Sequence, residues 1–181
     1  MNLKIVRDEY ADSPRGWDNL GTMACWHGRY ILGDEQPRVS PEEFTKDLPK
    51  GTLILPLYLY DHSGITISTS PFSCPWDSGQ VGIIYVTPEK LMEQFSVNEL
   101  TEETLKKATE VLQSEVNTYD QYLQCDVWGY ILENECGECG QSTGESEESC
   151  FGFYGDCLDD IKSHLDEKYH DQLESAWENR S

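Results

Sequence analysis

The sequence predicts an α+β fold, a mixed or antiparallel sheet packed with helices, and three observations predict it. Short runs alternate with period two, as half-buried strands do, at Leu3–Arg7 and Asp126–Glu133, and Gln80–Val86 is rich in the strand formers Val81, Ile83, Ile84, Tyr85 and Val86. Two longer segments, 101–124 and 156–177, instead repeat apolar residues at steps of three and four, the spacing of a buried helix face. The two kinds are mixed without the regular alternation of a doubly wound parallel sheet, and no internal repeat is visible. With 38% hydrophobic and 11% aromatic residues and five tryptophans in 181, whole-chain disorder is excluded.

The elements follow in order. Leu3-Lys4-Ile5-Val6-Arg7 opens the chain as a strand. Asp12 to Gly21 is rich in Pro, Gly, Asp and Asn and reads as a loop anchored by Trp17. Ser40-Pro41-Glu42-Glu43 starts a short helix, with Ser as N-cap and Pro in the first helical position. Thr52 to Tyr60 is a strand interrupted by Pro56, which points to an edge or a bulge. Asp61-His62-Ser63-Gly64 supplies a turn, and Ile65 to Ser68 pairs back as a hairpin. Gln80 to Val86 is the best strand in the chain. Thr87-Pro88 then opens a helix to about Phe95. Thr101 caps the longest helix, whose stripe is Leu105, Ala108, Leu112, Val116, Tyr119 and Leu123. After the strand at Asp126–Glu133, residues 134–150 read as loop. A single last helix is capped by Asp156 and striped by Leu158, Ile161, Leu165, Tyr169, Leu173 and Trp177.

This reading divides the chain into an α+β core, 1–132, and an acidic Cys-containing loop with the C-terminal helix, 133–181, packed on the same domain. The charge follows a similar division. The chain carries 34 acids and 13 bases, a net of −21, and residues 133–181 alone hold 14 acids and three bases. Such a balance excludes tight binding to nucleic acid or an anionic membrane through phosphate neutralisation, which needs a surplus of Lys and Arg. Met1-Asn2-Leu3-Lys4 leads straight into a short apolar run with no signal-peptide core, and the longest apolar stretch is too short for a bilayer. The expected location is cytoplasmic, and an odd count of seven cysteines there argues for reduced thiols.

Cys136-Gly137-Glu138-Cys139-Gly140 is the sharpest local motif, half of a zinc site on a glycine-rich turn. Cys150 and Cys157 would complete it as a structural zinc, the only cofactor the sequence suggests, although they form no second C-x₂-C pair. Ordinary thiols on an exposed loop fit the same residues. Two front segments are chemically dense, Cys25-Trp26-His27-Gly28-Arg29-Tyr30 and Asp61-His62-Ser63-Gly64 with Ser73-Cys74-Pro75-Trp76-Asp77-Ser78-Gly79. An enzyme could draw on Cys74 or Cys25 as nucleophile, His27 or His62 as base, and Asp77 to orient the imidazole. In a purely structural role the tryptophans pack and the aspartates cap turns. His27, Asp61 and His62 lack the H-x₃-H or H-x-H spacing of a metal hydrolase. The familiar nucleotide, zinc-protease and serine-hydrolase signatures are absent.

The last helix and the loop before it form a candidate binding surface. Asp159, Asp160, Asp166, Glu167, Asp171, Glu174 and Glu178 surround the apolar stripe, preceded by Glu145, Glu147 and Glu148. Carboxylates on a helix recur every turn of about 5.4 Å, a spacing broadly comparable to that of strand phosphates. A row of them can therefore enter a Lys/Arg-lined channel, aided by long-range steering. A solvated face that keeps the chain soluble is the plainer alternative.

Several segments resemble an uncharacterised family of small acidic phage and mobile-element proteins. They are Ser13-Pro14-Arg15-Gly16-Trp17-Asp18-Asn19-Leu20-Gly21-Thr22-Met23, His27-Gly28-Arg29-Tyr30, Ser73-Cys74-Pro75-Trp76-Asp77-Ser78-Gly79-Gln80-Val81-Gly82, Tyr119-Asp120-Gln121-Tyr122-Leu123, Asp126-Val127-Trp128-Gly129-Tyr130 and Ser149-Cys150-Phe151-Gly152-Phe153-Tyr154-Gly155. The resemblance implies a setting in which acidic proteins of anti-CRISPR or anti-restriction type block host nucleases, and it supplies no catalytic residues. The expected function is therefore a non-enzymatic inhibitor of a basic, nucleic-acid-handling defence protein. A CRISPR effector such as Cas9 is the first expected partner, since it carries a positively charged heteroduplex channel, and a restriction enzyme is the second.

Overall fold

Three N-caps act as their sequences predict. The side-chain oxygens of Ser40, Thr87 and Thr101 accept from the backbone N–H of Glu43, Lys90 and Thr104 at 3.2, 3.4 and 3.2 Å. They start α1 (Pro41–Asp47), α2 (Pro88–Gln94) and α3 (Glu102–Leu123). The structure is a computed structural model that describes residues 1–136, 139 and 142–180. Its fold is α+β with antiparallel sheets, in two compact units: Ser13–Gln124, and Met1–Asp12 with Cys125–Ser181. No helix among the described residues is long and apolar enough to cross a membrane.

The unit formed by 13–124 has a four-stranded antiparallel sheet. Its strands are β2 (Thr22–Cys25), β3 (Leu53–Asp61), β4 (Ile65–Ser68) and β5 (Ser78–Val86), in the order β2-β5-β3-β4. The α3 stripe Ala108, Leu112, Val116 and Tyr119 is buried in one core with Met23, Leu57, Ile67 and Ile84 of the sheet. β2, which the sequence reading left unassigned, joins through Thr22↔Tyr85 to Cys25↔Gly82. Pro56 sits on an interior strand, yet β4 pairs only with Tyr58–Asp61, so the flank of β3 at Pro56 is locally an edge. The register shift falls one residue later, between Leu57 and Tyr58.

The second unit pairs β1 (Asn2–Arg7), β6 (Val127–Glu135) and β7 (Ser142–Tyr154) in the order β1-β6-β7. The boundary expected after residue 132 falls inside β6. The opening strand pairs with β6 from Asn2↔Glu133 to Arg7↔Trp128, which places the chain's first residues with its last. The loop expected at 134–150 is largely strand, because an apolar β6 offers a pairing edge that overrides poor local propensity.

The expected single last helix is broken into α4 (Leu158–His164), a 3₁₀ turn at Glu167–Tyr169 and α5 (His170–Glu178). Ser163 Oγ and His164 Nδ1 both bond the Asp160 carbonyl, at 2.6 and 2.8 Å, competing with helix continuation. His170 Nε2 then donates toward the Lys162 and Leu165 carbonyls at 3.2 and 3.3 Å. The apolar stripe survives the break: Ile161, Leu165, Leu173 and Trp177 stay buried with Leu3, Trp128, Tyr130 and Phe153.

Candidate functional site

Three strand ends meet at one end of the four-stranded sheet. β2 stops at Cys25, β3 at Asp61 and β5 begins at Ser78, with Cys25 opposite Gly82 and Tyr60 opposite Ser78. The segments that leave them, Trp26–Tyr30, His62–Gly64 and Trp76–Asp77, are thereby gathered. They surround a cleft of about 340 Å³ lined by Trp26, His27, Arg29, Asp61, Trp76 and Asp77, among others. The Asp61 N–H donates to the Asp77 carbonyl at 2.8 Å and ties two of the segments together.

The titratable side chains of the cleft are oriented by named neighbours. His27 Nδ1 accepts from the N–H groups of Arg29 and Tyr30 at 3.3 and 3.0 Å, which leaves the proton of a neutral imidazole on Nε2. Its ring stacks on Tyr30, with centroids 5.0 Å apart and planes 8° apart. Asp61 accepts from Tyr30 Oη at 3.3 Å and pairs with Arg29 at 3.1 Å. Asp77 Oδ2 lies 3.2 Å from His62 Nδ1 and 3.8 Å from Cys74 Sγ. His62 stacks on Tyr60, and Ser78 Oγ donates to the Cys74 carbonyl.

The structure thus brings Cys74, Asp77 and His62 together, with His27 in the adjoining cleft, and it changes their order. The carboxylate stands between thiol and imidazole, whereas a nucleophile–base–orienter relay needs the imidazole in the middle. Cys25 is buried, and burial, with Asp34 adding to it, pushes its thiol up to about 12, unsuited to act as a thiolate. The sequence reading missed the Arg29–Asp61–Tyr30 clamp, because Asp61 lies 31 residues from Tyr30 in the chain; the two chemically dense segments that contain its members were its only trace.

The acidic residues lie in the other unit. Glu145, Glu147 and Glu148 are on β7, Asp159 and Asp160 in the first turn of α4, Asp166 and Glu167 at the corner, and Asp171, Glu174 and Glu178 on α5. All ten are exposed. Lys162 pairs with Glu174 at 2.5 Å and Lys168 with Asp166 at 3.0 Å, while Tyr130 Oη donates to Glu148 at 2.7 Å. The broken helix removes the continuous helical row of acids expected above. The corner gathers them differently, with Glu147, Glu148 and Asp166 around one cleft and Glu135 and Asp171 around another.

The four cysteines expected to hold zinc are not gathered. Cys150 pairs across from Tyr130, six residues before Cys136, an offset of roughly 20 Å along an extended strand. Cys157 is buried in the apolar core and its thiol is pushed up to about 12, first by burial, whereas zinc takes the thiolate. Cys139 is exposed. Gly137, Glu138 and Gly140 lie outside the described residues. Among the described residues no group of three or more His, Cys, Asp or Glu side chains is placed to hold a metal ion.

Compared with known proteins, the chain matches no family model, no curated protein and no solved structure.

Proposed function

We propose that the chain is a non-enzymatic inhibitor that binds a basic, nucleic-acid-handling defence protein through the unit of 1–12 and 125–181. One observation carries the reading: all ten carboxylates singled out from the sequence are exposed, and only Asp166 and Glu174 among them are paired with lysines in the described structure. That unit holds 18 acids and five bases in 69 residues, a net of −13, against −8 for the 112 residues of the other. Unpaired exposed carboxylates steer a basic partner and line up against its Lys and Arg side chains. A CRISPR effector nuclease of Cas9 type is the first target to test, and a restriction enzyme the second. Titrating the purified chain into a DNA-cleavage reaction should inhibit one of these at stoichiometric levels. Full cleavage by both at a large excess of the chain rejects them as targets.

A second reading has its own observation, the contact of Asp77, which lines the cleft together with His27, with both His62 and Cys74. It is a small enzyme acting through these four residues. Alanine at Cys74, His27, His62 and Asp77 separates the two readings. Inhibition should survive the changes at Cys74, His27 and His62 and at most weaken at Asp77, and its complete loss in any of them would move the function to the cleft.

A further inference from the structure

We propose that the cleft at the strand ends of the 13–124 unit is a receptor for a guanidinium group, an arginine side chain presented by the partner protein. The identity of that partner rests on the reading above; the chemistry of the cleft does not.

The cleft already holds one guanidinium. Arg29 lies 3.1 Å from Asp61 and 5.2 Å from the centre of the Tyr30 ring, while its side chain is 70% exposed. A carboxylate beside an aromatic face is thus a combination this wall uses for arginine. A second such combination lines the same cleft, Trp76 and Asp77. Trp76 is 92% exposed, and no ring or cation is recorded against it among the described residues. Indole offers the strongest cation–π face of any side chain, and Trp is among the residues enriched at interface hot spots. The described partners of the Asp77 side chain are an imidazole and a thiol. Its charge is therefore not matched by a permanent cation, as that of Asp61 is by Arg29.

Competing ligands fit less well. An anion meets two carboxylates, with the one arginine of the lining already paired to Asp61. The volume of about 340 Å³ is at the small end of ligand pockets, roughly 300–1,000 Å³, and suits one side chain better than a large cofactor. Between the two basic side chains, guanidinium is the better match. It is planar, so it can stack on indole, and its forked N–H groups can meet a carboxylate with two parallel bonds. An ammonium does neither.

The test uses the full chain and three blocked tripeptides, acetyl-Gly-Arg-Gly-amide and its citrulline and lysine counterparts, followed by the NMR shift of the Trp76 indole N–H. The arginine probe should shift it saturably, with citrulline about tenfold weaker for want of the charge. Trp76→Ala, followed on the Trp26 indole, should weaken binding about three- to fivefold, and Asp77→Asn about tenfold. Both side chains are exposed enough for the variants to fold, and unchanged amide spectra away from the cleft will show it. Absence of saturation, equal binding of citrulline or lysine, or unaltered binding by both variants overturns the assignment. The two proposals fail separately. Arginine binding by a chain that inhibits no nuclease breaks only the nuclease reading, whereas inhibition without arginine binding breaks only this one.

Discussion

Arg15 is the most constrained charge in the described structure. Its side chain is only 6% exposed and meets Asp34 through Nε at 3.0 Å and a terminal nitrogen at 2.5 Å, Glu115 at 3.4 Å and the Gly21 carbonyl at 2.7 Å. Glu115 in turn accepts from the N–H groups of Leu20 and Gly21, and Asp34 from that of Met23. Burial lowers the Arg15 pKa, but hydrogen bonding and charge from Asp34, then Glu115, outweigh it and hold the guanidinium above its ordinary value. Arg15→Ala would strand two carboxylates, so denaturant unfolding of this unit should show a loss of about 3–5 kcal/mol. A loss below about 1 kcal/mol would show that the network is solvated. The thiols divide as sharply. Exposed Cys125 and Cys139 should alkylate in the native protein, while buried Cys25 and Cys157 should wait for unfolding, as mass mapping of a timed reaction will show.

At this scale the N-caps were legible and the Arg15 network was not. A cap and the N–H that donates to it lie three residues apart, and the pattern Ser-Pro-Glu-Glu displays both. Arg15 finds Asp34 and Glu115 at separations of 19 and 100 residues. Nothing local marks it, beyond its place in a loop that must be held by something.

Among the elements, α3 carries the four-stranded sheet. It also holds the edge strand β4 through a side chain, since Asp120 Oδ1 accepts from the Ile67 N–H at 2.7 Å. Thr101→Ala, which removes its N-cap, should cost about 1 kcal/mol in thermal or denaturant melts. Burial holds the Asp120 carboxyl above its ordinary value, against the lowering effect of its bonds from Ile67 and Gln124. The folded chain therefore keeps this proton more tightly than the unfolded one. The stability it contributes is full below the ordinary carboxylate pKa and lost as pH rises through the folded value. Asp120→Asn can keep the Ile67 bond through its carbonyl oxygen, and it should flatten that part of the stability–pH curve. An unchanged slope contradicts the assignment.

The C-terminal elements show why periodicity alone misread them. Steps of three and four are satisfied equally by one helix and by two with a corner between, provided each buries its own apolar residues. The corner is set by Ser163, His164 and His170, whose side chains bond carbonyls of the same stretch. β7 was missed for a different reason. Its Gly, Ser and Glu composition resembles a loop, and its partner β6 supplies the order.

For the whole molecule, the α+β class, most strand positions and the exposure of the ten acids were legible, because they follow from periodicity and composition. The division into units was not, since it depends on β1 crossing to β6. That division sharpens the charge argument: more than half of the net −21 belongs to the unit containing β7, α4 and α5. It also says which acids can be reversed without disturbing the fold. Asp159, Asp160 and Asp171 sit in first helical turns, where a carboxylate favours the helix, and Glu148 holds Tyr130. Glu145, Glu147, Glu167 and Glu178 are exposed and have no recorded ion-pair partner among the described residues. Glu178→Lys, at the end of α5, should even add about 0.3 kcal/mol.

The most direct measurement is inhibition of DNA cleavage by the native chain and by the variant Glu145→Lys, Glu147→Lys, Glu167→Lys, Glu178→Lys, across a salt series. Exposed charges are screened within about 10 Å at 0.1 M salt. Native inhibition should therefore weaken steadily as salt rises, and the variant should be at least about tenfold weaker at low salt while melting at the native temperature. A folded variant that inhibits as well as the native chain, with the same salt dependence, would contradict an acidic binding surface.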